Sequence, residues 1–95
     1  MKPKDPGKAA RKYKIDGRVQ GVGFRAFVRH AAHQLGVRGW TRNLDDGSVE
    51  IYAIGTPRQL AEFSGLVRNG PRFAEVRNVE ELEAALEHWS DFLIR

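Results

Sequence analysis

The sequence predicts an α+β fold of the ferredoxin-like βαββαβ kind, an antiparallel sheet with two helices on one face and a short C-terminal strand. Three observations predict it. A strand-period segment leads through glycines into a segment of helical spacing, a hairpin sequence turned at Asp46-Gly47 follows, and the helix-then-strand pattern comes again after it.

Tyr13, Ile15, Gly17 and Val19 alternate with Lys12, Lys14, Asp16 and Arg18, the period of a half-buried strand. Phe24, Val28, Ala31, Ala32 and Leu35 then recur at helical spacing, and Gly36 suits the position just past the helix end. In "VRGWTRNLDDGSVEIYAIG", Asp46-Gly47 marks a turn, while Thr41, Val49, Ile51, Tyr52 and Ile54 favour strand on its two arms. A second helix is well signalled: Thr56 as cap, Pro57 in the first position, Gln59 completing a capping box, and Leu60, Phe63 and Val67 on one face. Gly70-Pro71 ends it. "FAEVRNV" alternates as a strand, Glu80 to Trp89 is ambiguous with Leu82, Ala85, Leu86 and Trp89 at helical spacing, and "DFLIR" reads as a short closing strand.

A chain of 95 residues supports one domain with one core, burying roughly 65% of the surface its unfolded form exposes. Without cysteine there is no disulfide framework, thiolate nucleophile or thiolate metal site. No apolar run approaches the length of a membrane span and the N-terminus does not resemble a signal peptide, so the expectation is a soluble cytoplasmic protein, and a monomer by size. The net charge of +4 is unevenly placed. Lys2, Lys4, Lys8, Arg11, Lys12 and Lys14 stand against Asp5 alone, whereas the rest of the chain has ten arginines and eleven acids. The basicity belongs to a tail, expected to be flexible over residues 1–11, and nucleic acid is not the expected partner.

The stretch "GRVQGVGFR" joins the first strand to the first helix with three glycines, two arginines and no acid. Such a loop aims main-chain N–H groups at one point, and the helix start adds the positive end of its dipole, so an anion belongs there. The sequence has no Gly-Lys-Ser/Thr of a Walker loop, and Gly21-Val22-Gly23 lacks the third glycine of a dinucleotide fingerprint. "GVGFRAFV" looks like the aromatic signature of RNA-recognition modules, but it enters a helix instead of lying on an internal strand. His30 and His33 fall on the helix side opposite Phe24, Val28, Ala31 and Leu35, where solvated histidines are expected, and Asp45-Asp46-Gly47 has sufficient reason as turn chemistry. No metal and no cofactor is expected.

Together, "GRVQGVGFR", "A…LGVRGWTRNLDDGSVE", "GPRFAEV" and "FLIR" closely resemble the acylphosphatases, from about Tyr13 to Arg95. The resemblance implies an acylphosphatase-like domain over residues 12–95, cleaving the carboxyl–phosphate bond of acyl phosphates to a carboxylate and inorganic phosphate without a metal. It also implies that Arg25 binds phosphate, that Asn43 positions water, and that Gln20, Gly21, Val22, Gly23, Phe24 and Arg25 form the phosphate-binding loop, the cradle acting through main-chain N–H groups. Phosphoryl transfer through a loose, in-line transition state needs chiefly held equatorial oxygens and an aligned water, which so small a set can supply. The alternative reading is a non-catalytic anion- or RNA-binding module built on the same loop.

Overall fold

The computed structural model describes residues 7–95. Seven elements follow in order: β1 (Ala9–Arg18), α1 (Phe24–Leu35), β2 (Arg38–Asn43), β3 (Val49–Gly55), α2 (Pro57–Asn69), β4 (Glu75–Ala84) and β5 (Phe92–Ile94). The strands form one sheet in the order β4-β1-β3-β2-β5. β1, β2, β3 and β4 pair antiparallel, whereas β5 lies parallel to β2, with Gly39 opposite Phe92 and Thr41 opposite Ile94. The sheet is therefore mixed at that one edge.

Two boundaries differ from the sequence reading. β1 begins at Ala9, so Ala9, Ala10 and Arg11 belong to the sheet and not to the tail; Met1 to Pro6 lie outside the described residues. β4 continues through Glu80 to Ala84, each of these residues paired with β1 as far as Ala10 opposite Ala84. Residues 85–91 then cross the sheet from its β4 edge to its β5 edge on the face away from the helices. The Tyr52 hydroxyl holds them there, donating to Ala85 O at 2.6 Å and accepting from Glu87 N–H at 2.8 Å. The helix spacing of Leu82, Ala85, Leu86 and Trp89 is overridden by ladder bonds and by burial of Trp89 against Trp40, Tyr52 and Ile54.

The main core lies between the sheet and the helices: Tyr13 and Ile15 from β1, Ile51 from β3, Phe92 from β5, Val28 and Ala32 from α1, Phe63 and Val67 from α2. Burying each large apolar side chain contributes roughly 1.5–3 kcal/mol. Trp40 stacks on Tyr52 with ring centroids 6.0 Å apart on the other face, so its role is packing.

The caps set where each helix starts. Thr56 accepts from Gln59 N–H at 3.2 Å while the Gln59 side-chain carbonyl accepts from Thr56 N–H at 2.8 Å, a complete capping box before Pro57. Gln59 also donates to Leu35 O at 3.0 Å, tying the start of α2 to the end of α1. The β2–β3 turn closes through Leu44 N–H to Ser48 O at 2.8 Å and Gly47 N–H to Leu44 O at 3.2 Å. Gly17 answers to a demand separate from that of the loop. At φ 135° beside a bulge in the β1–β4 pairing, a Cβ there would run into the Glu75 carbonyl oxygen.

Candidate active site

Gly21 and Gly23 have φ of 74° and 77°, left-handed values that cost other residues about 1–2 kcal/mol, and a Cβ at either would meet open space. Conformation, not room, demands glycine here. Gly23 is the residue before α1 and offers no side-chain cap. The helix's first bond runs from Phe27 N–H to Gly23 O at 3.0 Å, so the N–H groups of Phe24, Arg25 and Ala26 have no helical carbonyl to bond. The first turn holds no acid, and its second residue is Arg25, a cation where the helix dipole already concentrates positive charge. The Arg25 guanidinium makes one long hydrogen bond, from Nη1 to the main-chain oxygen of Arg95, the last residue of the sequence, at 3.5 Å, and pairs with no Asp or Glu side chain among the described residues.

Asn43 closes β2 opposite Val49, exposed, with its side-chain amide unbonded among the described residues. A cavity of about 200 Å³ brings Gly21, Gly23, Phe24, Arg25 and Asn43 together, with Ile94 as an apolar wall. Pockets for drug-sized ligands run from roughly 300 Å³, so this one suits a small anion with a short substituent. A larger hollow of about 360 Å³, between Ile54, Leu86 and Trp89 on the sheet's other face, holds none of these residues.

Two residues of the loop, expected to contribute main-chain N–H groups, send their side chains elsewhere. The Gln20 side chain turns away from the cavity and donates from Nε2 to Leu44 O at 2.8 Å and to Ser48 O at 2.9 Å; Val22 packs against the main core. Three further residues border the cavity that the sequence reading does not include: Val19, Ala26 and Ile94. Ile94 has no local signal, because only the parallel pairing of β5 with β2 carries it to the site.

Neighbouring charges are committed elsewhere. Arg42 pairs with Glu50 at 2.7 Å, and Lys14 with Asp46 at 3.1 Å. The Ser48 hydroxyl, then the Ser48 N–H and Lys14, hold the Asp46 carboxyl down to about 2, so Asp46 serves the turn as an anion. His30 and His33 are exposed, and among the described residues no three His, Cys, Asp or Glu side chains gather as metal ligands would.

Fold and cavity define an α+β sandwich whose first helix opens on an uncapped, arginine-bearing N-terminus. The family model described as Acylphosphatase matches residues 11–94. An acylphosphatase of Solibacter usitatus is 52% identical over 86 residues, 90% of each chain. The solved acylphosphatase of Coxiella burnetii superposes with a TM-score of 0.91 at 36% identity over 100% of both chains, and that of Bacillus subtilis with 0.88 at 41% identity over 90% of this chain and 97% of that one. The chain belongs to the acylphosphatase family, enzymes that hydrolyse the carboxyl–phosphate bond of acyl phosphates to a carboxylate and inorganic phosphate.

Proposed function

We propose that Arg25 and the N–H groups around Gly21, Gly23, Phe24 and Arg25 hold the phosphoryl end of an acyl phosphate, while Asn43 orients the attacking water. The observation that carries this reading is the uncapped start of α1, with N–H groups that no helical carbonyl bonds and a guanidinium that pairs with no Asp or Glu side chain among the described residues, at the cavity that Asn43 also borders. Charge-assisted hydrogen bonds of this sort contribute roughly 1.5–3 kcal/mol each, and they act where charge sits on the equatorial oxygens in flight. The Arg25 fork takes two oxygens and the amides take others. The Asn43 amide carries an acceptor and a donor, so it fixes a water that a substrate phosphate oxygen deprotonates. A carboxylate leaves without a strong general acid, so the mechanism requires neither a metal nor a histidine.

The same reading makes the protein a cytoplasmic monomer acting on small acyl phosphates and not on nucleic acid. Supporting it are the absence of cysteine from the sequence and a charge excess confined to the first residues. No helix among the described residues is long and apolar enough to cross a membrane. The catalytic unit is residues 9–95, and the preceding basic tail is dispensable for turnover.

The test is hydrolysis of benzoyl phosphate in the presence of EDTA, with p-nitrophenyl phosphate as the ester control. Losing one preorganised donor typically costs on the order of 100- to 1,000-fold in turnover. Arg25→Gln and Asn43→Ala should each fall by about that much while folded, with Asn43→Ala still inhibited by inorganic phosphate. Turnover abolished by EDTA, or Asn43→Ala retaining wild-type turnover, would refute the assignment.

A further inference from the structure

We infer that Gln20 is a positioning residue: its side-chain amide clamps the phosphate loop to the hairpin that carries Asn43, and thereby sets the water against the phosphorus. The inference rests on the proposed roles of Arg25 and Asn43. Gln20 directly precedes Gly21, and the carbonyls it bonds belong to Leu44, directly after Asn43, and to Ser48, across the turn. Leu44 and Ser48 are already joined by the 2.8 Å bond from Leu44 N–H to Ser48 O, so one amide group seizes both sides of the closed turn. Both acceptors are carbonyl oxygens, which fixes the orientation of the side chain: only the NH₂ end of Gln20 bonds them. The bonds span 24 and 28 residues of sequence and are partly buried.

Lys14 on β1 also reaches this turn, at Asp46, but Gln20 is the side chain that bonds to it from the phosphate loop itself. Phosphate is gripped by groups on the β1–α1 loop and α1, a single continuous segment. Water is placed by Asn43, on a different strand. Cutting the clamp therefore leaves the grip intact and frees the water-positioning group to drift relative to it. A misplacement of about 1 Å costs on the order of 100-fold in rate. A side chain that merely stabilised the fold would lower the melting temperature without singling out Asn43.

The experiment compares Gln20→Met, which keeps the length and removes both donors, with wild type, Asn43→Ala and the Gln20→Met/Asn43→Ala double variant. kcat for benzoyl phosphate and the inhibition constant of inorganic phosphate are measured, with circular dichroism reporting the fold. Gln20→Met should lose about 10- to 100-fold in kcat while phosphate inhibition changes less than about 3-fold. In the Asn43→Ala background the same substitution should cost less than about 3-fold, because the group it positions is gone. An unchanged kcat, equal losses in kcat and phosphate affinity, or a full repeat of the loss in the double variant would overturn the assignment. If Gln20→Met does not fold, Gln20→Asn, one methylene too short to reach both carbonyls, takes its place with the same readouts. An Asn43→Ala protein as active as wild type would sink the underlying reading instead, and is recognised separately from any result at Gln20.

Discussion

Both helices follow a strand of the sheet and both carry an arginine at their second residue, Arg25 in α1 and Arg58 in α2, yet their N-termini are finished differently. In α2, Thr56 and Gln59 satisfy one another's main-chain N–H groups and Pro57 contributes none. In α1 the preceding residue is a left-handed glycine without a side chain, so the first N–H groups receive no side-chain cap. One terminus is sealed by side chains; the other is left open, as the proposed anion site requires. The lesson is that a functional site can be recognised by what a local rule leaves undone, provided the same fold supplies a finished example beside it.

The comparison breaks most decisively at the paired arginines. Inorganic phosphate at 100 times its dissociation constant should stabilise the wild-type protein by about 2.7 kcal/mol. Arg25→Gln should abolish most of that shift in thermal unfolding, whereas Arg58→Gln should keep both the shift and benzoyl phosphate turnover within about 2-fold of wild type. Equal losses from the two variants would mean that α1 is not special. Next in size, Thr56→Ala should destabilise the protein by about 1 kcal/mol in urea unfolding and leave kcat unchanged, since its bonds serve α2 alone. A fall in kcat would tie the sealed terminus to catalysis and blur the distinction.

The smallest expected effect sharpens the comparison at the turn that adjoins Asn43. Asp46 has a folded pKa of about 2, below the ordinary carboxyl value of roughly 4, so its contribution is present above about pH 4 and is lost as pH falls through about 2. Urea midpoints measured from pH 6 to pH 2 should decline less steeply for Asp46→Asn than for wild type. Parallel declines would show that the Ser48 and Lys14 contacts add nothing to folding.

Features whose chemistry lies within a few adjacent residues are legible in the sequence. The capping box at Thr56, the turn at Asp46-Gly47 and the glycine loop are such local devices, and each stands in the fold where its residues predict it. Arg25 and Asn43 are marked by family resemblance, and both border one cavity. The rest depends on partners distant in sequence. The continuation of β4 to Ala84 is decided by β1, the path of residues 85–91 by the Tyr52 hydroxyl, and the outward turn of the Gln20 side chain by two carbonyls beyond β2. Periodicity cannot report such partners, which is why Leu82, Ala85, Leu86 and Trp89 suggest a helix where the chain is a strand and a crossing.

The parallel pairing of β5 with β2 also orders events in time. Arg25 and the main-chain oxygen it reaches on Arg95 are 70 residues apart, and the Ile94 wall lies at nearly the same remove. At synthesis rates of about 5–20 residues per second, several seconds separate the making of Arg25 and its glycine loop from the making of the surface that encloses them. A nascent chain thus passes through an interval in which its arginine and glycine loop exist but its cavity does not. The cavity has all of its walls only when the last strand docks.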